Sequence, residues 1–400
     1  MLQYILTFFF KKLENCNHPL LGPTNWSLSL GHMWKEKRNF CYKYNVVQLS
    51  LIAVQLTEFI ELWFLRHDSE KLLNNLTFSL PSSLCVLQSI SFVLFREQWT
   101  SIIEYVSTTE IIQILNDDNV TCKIIKKYTK YCRSITFCYW SLAFVSLLIF
   151  YMSPFVAYFS SCEYRYLIKN GSAPYPEIIS SWVPLDKSRG IGYCMVITLQ
   201  LFILSFGALT LASYDTNAVV IMTFFAGQFE ILKENCRRLY DDCNRKEDLA
   251  VKFRQYHRHH VDLMRFTKLL NFVLSPVMSM YVVICSIMLC LCAIQVTKED
   301  VTIQQQLWIS EFFIALVAQL LFYCWHSNEV YYMSLTVSNG VYGSAWWSLD
   351  ARERRNMLLL AAQLNKTVVF NAGPFATLSV ATFMTILKGS YSYYTLLSQR

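Results

Sequence analysis

Seven apolar stretches, separated by polar and charged segments, run through the sequence from residue 46 towards the C-terminus. Several approach or exceed the ~20 residues that a helix needs to cross a bilayer. Hydrocarbon offers the backbone no hydrogen-bond partners, so each crossing is expected to be helical. The pattern therefore predicts an all-α protein with seven transmembrane helices, over residues 46–65, 76–95, 135–159, 193–213, 269–293, 307–325 and 375–387.

The first crossing carries four polar side chains that share one helical face. Gln48, Gln55, Glu58 and Glu61 follow one another at steps of seven, three and three residues. Polar groups are costly in hydrocarbon, so this face is predicted to point towards protein or water. Two interpretations of Glu58 and Glu61 stay open, namely a vestibule wall or ion pairs with neighbouring Lys or Arg residues.

The last apolar stretch changes character after Leu387. Lys388, Ser392, Leu396 and Gln399 recur at i, i+4, i+8 and i+11, which places them along one face of a helix. Such a face suits the wall of a narrow water-filled path, because unpaired polar groups are disfavoured in lipid. Spacing alone favours a plainer alternative, in which the polar face packs against other helices.

A charged segment, residues 214–267, connects the fourth and fifth crossings and keeps a helical period. Phe225, Phe229, Leu232 and Leu239 form an apolar edge, and basic side chains occupy much of the remainder. This arrangement predicts amphipathic helices in the connection.

The distribution of Lys and Arg predicts the orientation of the chain. Basic residues concentrate before the first crossing and in the 2–3, 4–5 and 6–7 connections, so the N-terminus is expected in the cytoplasm and the C-terminus outside. The glycosylation sequon at Asn170 then lies outside, and those at Asn25, Asn119 and Asn365 lie inside. Residues 1–10 are apolar without a basic n-region, which favours a segment on the cytoplasmic membrane surface over a cleavable signal peptide.

Composition agrees with a membrane protein, at 54% hydrophobic and 16% charged residues. Basic cytoplasmic loops account for the formal charge of +7, so no nucleic-acid partner is predicted. Many of the fourteen cysteines lie inside apolar runs and are interpreted as small buried hydrophobes. Cys162 and Cys194 lie in or beside the outer loop, and a disulfide between them stays open.

Two segments contain histidines that could form a chemical site. The run from His257 to His260 lies among Lys252, Arg254 and Arg258, whose charges oppose a divalent cation, so no metal site is predicted. His326 and Glu329 could act as an acid–base pair, but no second pair or nucleophile motif accompanies them. They are interpreted as a hydrogen-bonded pair, and neither a cofactor nor an enzymatic activity is predicted.

Several motifs resemble those of insect odorant receptors, mostly from the third crossing onward. The C-terminal ones are Phe375–Ser379, Phe383 with Ile386–Lys388, and Ser390–Leu397. Earlier ones are Trp182–Asp186, before the fourth helix, and Ala226–Leu232 with His260, in the 4–5 connection.

The resemblance implies a plasma-membrane receptor of seven helices that forms an odorant-gated, non-selective cation channel. Such receptors assemble as heteromers, expected here to be heterotetramers, with a shared co-receptor. The co-receptor has a longer 4–5 connection and a different C-terminus, so this chain resembles the odorant-binding, tuning subunit. Residue-wise transfer makes Leu396 a hydrophobic gate element and Gln399 a polar group at the pore mouth, with Lys388 and Ser392 deeper in the pore.

The resemblance also places the odorant site in the outer halves of the second, third, fourth and sixth crossings. The side chains there are aromatic and apolar with a few hydroxyls, as expected for a small, hydrophobic, volatile ligand. The predicted ligand-binding residues are Phe78, Ser83, Phe150, Tyr151, Tyr158, Tyr193, Met195, Ile197, Trp308 and Phe312.

Four regions follow from this interpretation. They are a cytoplasmic N-terminal segment, 1–45; helices 1–4 with the ligand pocket, 46–213; the cytoplasmic extension, helices 5–6 and an anchor region, 214–365; and the pore-lining helix, 366–400.

Other membrane-protein classes fit less well. A gustatory receptor of the same fold would end in a Thr-Tyr…Gln-Phe type segment, of which Ser392-Tyr393 is only half. A secondary transporter should show two similar halves, and no internal repeat is evident. A G-protein-coupled receptor would place its N-terminus outside the cell.

Overall fold

A computed structural model describes residues 18–31, 33–34, 41–160, 162–170, 175–176, 178, 190–240, 246–296 and 303–398. The expectations for residues 1–10 and for the motif at 182–186 lie outside the described residues.

The described chain is almost entirely helical. Two 3₁₀ turns, Leu65–His67 and Trp346–Ser348, and a short hairpin of β1 (Asn371–Ala372) and β2 (Ala376–Thr377) join some of the helices. The α-helices are α1 Gly22–Leu30, α2 Cys41–Phe64, α3 Ser69–Leu94, α4 Arg96–Leu115, α5 Asn119–Ser160, α6 Cys162–Lys169, α7 Gly190–Arg237, α8 Lys246–Val296, α9 Ile303–Thr336, α10 Ser338–Tyr342, α11 Ala351–Leu364 and α12 Val380–Ser398.

Six stretches of the described chain are long and apolar enough to cross a membrane, and they overlap α2, α3, α5, α7, α8 and α9. The C-terminal helix α12, of 19 residues, follows them. The 48 residues of α7 and the 51 of α8 correspond to roughly 72 and 77 Å at 1.5 Å per residue, against ~30 Å of hydrocarbon. These two helices therefore continue well beyond the bilayer. The helical structure predicted for residues 214–267 is confirmed over residues 214–237 and 246–267.

Helix α7 lies at the centre of the fold. Every residue from Ser213 to Phe229 is buried, as expected for a helix that is covered on all sides. Its neighbours are α1, α3, α5, α8, α9 and α10. The predicted apolar edge, which includes Leu232 and Leu239, is fully buried in this core.

Polar contacts join the ends of several helices to their neighbours. Glu110 accepts a hydrogen bond from the Leu20 N–H at 2.8 Å, and burial raises the pKa of its carboxyl to about 7. Arg133 donates to the Leu20 carbonyl oxygen at 2.6 Å. Near the start of α5, hydrogen bonds from Arg238 hold the pKa of Asp118 well below its usual range. These contacts tie α1 to α4 and α5, and the end of α7 to the start of α5.

The final helix begins later than the sequence pattern predicts. Phe375 is 93% exposed in the hairpin, so the expected helix start at that residue is wrong. Gly373 adopts a φ of 66°, a left-handed conformation that favours glycine, and its N–H donates to the Ser275 carbonyl of α8 at 3.1 Å. Ser379 then accepts from the Thr382 N–H at 3.2 Å, an N-cap contact that starts α12 at the next residue.

The contact between α10 and α7 depends on the absence of a side chain at Gly340. A Cβ atom added there would lie 2.2 Å from the backbone oxygen of Lys233. Because this contact is with the backbone, movement of a side chain could not relieve the clash. We expect Gly340→Ala to lower the thermal unfolding midpoint of the purified receptor, because overpacking costs about 1–3 kcal/mol.

Gly389 provides the matched control, since a Cβ atom there would meet nothing within 4 Å. Gly389→Ala should keep or raise the midpoint, because alanine favours a helix by up to ~1 kcal/mol over glycine. Equal midpoint changes in the two variants would contradict the proposed backbone contact.

Candidate functional site

A cavity of ≈ 220 Å³ lies among α2, α3, α5, α7 and α9. Apolar side chains form most of its wall, and they come from all five helices. The side chains on the wall that carry oxygen or nitrogen are Glu58, Thr77, Ser82, Tyr139, Ser146 and Gln319. The cavity thus combines an apolar surface with a few hydrogen-bonding groups, as is typical of small-molecule sites.

Four of the predicted ligand-binding residues meet in one aromatic cluster. Phe78, Phe150 and Phe312 line the cavity. The Trp308 ring packs against Phe78 and Phe150, with centroid separations of 5.4 and 5.9 Å, and lies 6.4 Å from Phe312. Phe78 and Phe150 are themselves 5.7 Å apart. Helices α3, α5 and α9 therefore bring together residues that are distant in the sequence.

The other predicted ligand-binding residues lie away from the wall of this cavity. Ser83 donates to the Ser79 carbonyl oxygen at 2.7 Å and accepts from Gln55 at 3.1 Å. Tyr151 donates to the Leu201 carbonyl oxygen at 3.2 Å. Each directly follows a cavity-lining residue along its helix, and one residue turns a side chain by about 100°.

Four of these residues lie nearer the loop-side ends of α5 and α7. Tyr158 packs against Phe159, and Tyr193 donates to the Pro176 carbonyl oxygen at 2.9 Å. Met195 is exposed and Ile197 is half-buried. The sequence analysis predicted that these four residues bind the ligand, but none of them lines this cavity.

The polar face of α2 points inward, as predicted. Gln48, Gln55 and Glu58 are buried, and Glu61 is half-buried. Glu58 lines the cavity and forms a hydrogen bond with the Ser82 side chain. No described Lys, Arg or His forms an ion pair with Glu58.

A second buried carboxylate, Asp215, lies behind the cavity. Gln88 donates to its Oδ1 at 2.9 Å and Tyr323 donates to the same oxygen at 2.5 Å. Gln319 donates to Oδ2 at 2.5 Å, and the Tyr139 hydroxyl also donates to Oδ2. Four donors from α3, α5 and α9 thus satisfy a fully buried carboxylate on α7.

No motif marks Asp215 in the sequence, and the sequence prediction placed it at the start of the charged connection after the fourth crossing. The sequence feature that could have identified it is its isolation, because Asp215 is the only charged residue between Gly190 and Phe229. An isolated charge in a long apolar helix must be paired or hydrogen-bonded, so it marks a candidate site.

A continuous set of contacts connects the cavity to the final helix. Tyr139 and Gln319 both line the cavity and bind Asp215. On α9, Tyr323 binds Asp215, and one turn later Ser327 donates to the Leu378 carbonyl oxygen at 2.6 Å, just before α12 begins. One rigid helix therefore touches both the wall of the cavity and the start of α12.

The face of α12 predicted to line a pore points away from the rest of the chain. Lys388 and Ser392 are exposed, whereas Phe383 and Ser390 are buried against α8 and α9. Lys388 and Ser392 therefore do not pack against other helices of the same chain. Gln399 lies outside the described residues, as does the Leu396 side chain.

Two of these histidines, His259 and His326, make ordinary hydrogen-bonding contacts. His259 Nε2 lies 3.1 Å from Gln228 Oε1, and His326 Nδ1 lies 2.7 Å from the Phe322 carbonyl oxygen. His326 Nε2 also lies 3.4 Å from the Tyr131 hydroxyl, so its contacts differ from the predicted pair with Glu329. Among the described residues, no group of three or more potential ligands could hold a metal ion.

The structure shows the two cysteines and the glycosylation sequon in or beside the predicted outer loop. Cys162 and Cys194 are both exposed free thiols, so they do not form the disulfide that was left open. Asn170 is exposed directly after α6, where a glycan would be accessible.

Comparisons with known proteins agree with this architecture. The structure of olfactory receptor OR5 from Machilis hrabei in complex with eugenol has a TM-score of 0.79 to this chain at 15% identity. The alignment covers 94% of this chain and 98% of that one. A second structure of the same receptor also has a TM-score of 0.79, at 14% identity. This likeness shows the seven-helix fold of a multi-pass membrane protein.

Relatives in sequence are odorant receptors rather than enzymes. Odorant receptor Or2 of Anopheles gambiae is 22% identical over 358 residues, covering 87% of this chain and 90% of that receptor. Odorant receptor 10 of Aedes albopictus is 23% identical over 373 residues, covering 90% of this chain and 93% of that receptor. The family model described as 7tm Odorant receptor matches residues 68–391. Because that match spans most of the length of this chain, the chain belongs to the 7tm odorant receptor family.

Proposed function

We propose that this protein is the tuning subunit of an odorant-gated, non-selective cation channel. The observation that carries the proposal is the continuous contact from the cavity wall, through Asp215 and α9, to the residue that precedes α12. A small volatile ligand would bind in the cavity, and movement of α9 would transmit its presence to α12.

The size and lining of the cavity support a small hydrophobic ligand. An aromatic side chain buries about 150–250 Å², and a ligand of similar size gains roughly 4–6 kcal/mol at about 25 cal/mol per Å². Association costs reduce this value, so weak and rapidly reversible binding is expected. Such binding suits a receptor that follows changes in the concentration of an odorant.

Gating requires that the ligand bind the open state better than the closed state. The Asp215 contacts link the cavity to α9. Tyr139 and Gln319 line the cavity, and Tyr323 binds Asp215 further along α9. A ligand that displaces Gln319 or Tyr139 would change the hydrogen bonds that hold α9 against α7.

We propose that the exposed face of α12 lines a pore formed with co-receptor subunits, in a heterotetramer in the plasma membrane. Lys388 and Ser392 would lie within the pore, with Leu396 as gate and Gln399 at its mouth. The long extensions of α7 and α8 would form the cytoplasmic anchor between subunits. In this arrangement the N-terminus is cytoplasmic, the C-terminus is extracellular and Asn170 carries a glycan.

Recording from cells that express this chain with an insect co-receptor tests the function directly. A volatile panel should include eugenol, since the related Machilis receptor was solved with that ligand. We expect volatile-gated cation current only when both chains are present. Current that does not depend on the co-receptor would contradict the tuning role, and signalling through G proteins without current would contradict the channel.

The pore assignment can be tested at Ser392, on the face of α12 opposite the buried Ser390. In Ser392→Cys, a charged thiol reagent applied during the odorant response should change the current by at least about half, because the thiol would lie on the ion path. Tyr393→Cys is the matched control, since it is also exposed but turned by about 100° around the helix. Modification of the control alone would contradict the assignment.

The link through Asp215 predicts a change in gating when its charge is removed. Asp215→Asn places an amide among four donors, so at least one hydrogen bond is lost. We expect the odorant concentration for half-maximal current to rise at least tenfold at equal surface expression. Tyr323→Phe removes a single donor and should give a smaller shift.

Glu104→Gln is the matched control, because it neutralises an exposed carboxylate on α4. Its dose–response curve should match that of the wild type. An unchanged curve in Asp215→Asn would show that the carboxylate has no part in gating.

A further inference from the structure

One carboxylate oxygen on the cavity wall lacks a protein partner. Glu58 is 2% exposed, and the Ser82 side chain forms a hydrogen bond with it. Its Oε2 atom is buried and has no hydrogen-bond partner among the described residues. Since an unsatisfied buried carboxylate oxygen is costly, a hydrogen-bond donor in the cavity would be favoured at this atom.

The charged side chains described on the cavity wall and directly behind it are all acidic. No Lys, Arg or His is found among the described residues on the wall. Ser146, on the wall, donates to Glu311 at 2.5 Å, and Gln319, also on the wall, donates to Asp215. A carboxylate therefore lies on the wall, and two more lie one hydrogen bond behind it. This arrangement favours a cation over an anion or a neutral molecule.

Helix α3 offers a further acceptor at a residue that lines the cavity. Thr77 and Pro81 both line the cavity, and proline has no N–H to donate to the carbonyl four residues earlier. The Thr77 carbonyl thus lacks its usual helical donor. An ammonium group has three donors and no acceptor, which matches a wall that offers acceptors.

The aromatic cluster lies at a suitable distance for the apolar part of such a ligand. Phe78 precedes Ser82, the partner of Glu58, by four residues, or roughly 6 Å along α3. At interior packing density, the cavity of ≈ 220 Å³ holds a molecule with a van der Waals volume of about 160 Å³. One aromatic ring with a short alkyl chain ending in an amine fits both the volume and the spacing.

We propose that this cavity binds a small primary amine as its ammonium ion, with Glu58 as the counter-ion and the aromatic cluster around the apolar body. The assignment deepens the proposed odorant-receptor function and rests on it for the gating of current. Ligand binding itself can be measured without channel activity.

Phenethylamine, phenethyl alcohol and ethylbenzene form a matched probe series, because they share one body and differ at the polar end. Binding to the purified complex of the full chain with its co-receptor can be followed by tryptophan fluorescence, since Trp308 packs against the cavity-lining Phe78. We expect phenethylamine to bind at least tenfold more tightly than phenethyl alcohol, and ethylbenzene to bind no better than the alcohol.

Glu58→Gln removes the counter-charge and keeps the shape of the side chain. It should weaken the binding of phenethylamine at least tenfold and change the affinity for phenethyl alcohol by no more than about threefold. Glu58→Asp should retain part of the preference for the amine over the alcohol. Glu104→Gln, on an exposed face of α4, serves as the control and should leave both affinities unchanged. If Glu58→Gln fails to fold, the wild-type ranking of the three probes still decides the proposal.

Equal binding of amine and alcohol to the wild type, or an amine preference that survives Glu58→Gln, would overturn the amine proposal. Neutral volatiles that gate current, with no detectable amine binding, would overturn it while the channel function stands. Glu58-dependent amine binding without current would support the amine site and contradict the channel.

Discussion

A single carboxylate in the middle of the helix bundle constrains how the other helices can pack. Asp215 lies on α7, the central helix, and is buried completely among α3, α5 and α9. An isolated buried charge is prohibitively costly, so the surrounding helices must supply donors in the correct geometry. They supply four, and each sets the rotation of its helix about its own axis.

That constraint also shapes the cavity. Because Tyr139 and Gln319 turn towards Asp215, they form part of the cavity wall, and the space beside them is closed by apolar side chains and aromatic rings. The cavity therefore adjoins a polar network that continues to Tyr323 and, along α9, to the contact at Leu378. A site for a hydrophobic molecule and a route to another helix arise from the same packing.

Two regions of α9 contribute differently to the proposed function. Near one end, Trp308 and Phe312 belong to the aromatic cluster, where burial of apolar area gives affinity with little directional preference. Further along, directional hydrogen bonds hold α9 to α7 and to the segment before α12. In the proposed function, selectivity thus depends on the few polar groups on the wall, of which Glu58 is the charged one.

The sequence by itself determined the helical class, the number of membrane crossings and the inward polar face of α2, because hydrophobic period and length act locally along the chain. It also identified Phe78, Phe150, Trp308 and Phe312 among the candidate residues through a family resemblance. It could not separate them from Ser83 or Tyr151, since neighbouring residues differ only in helix rotation. Only the tertiary structure fixed that rotation, together with the role of Asp215 and the late start of α12, because donors from distant helices and a turn at Gly373 set them.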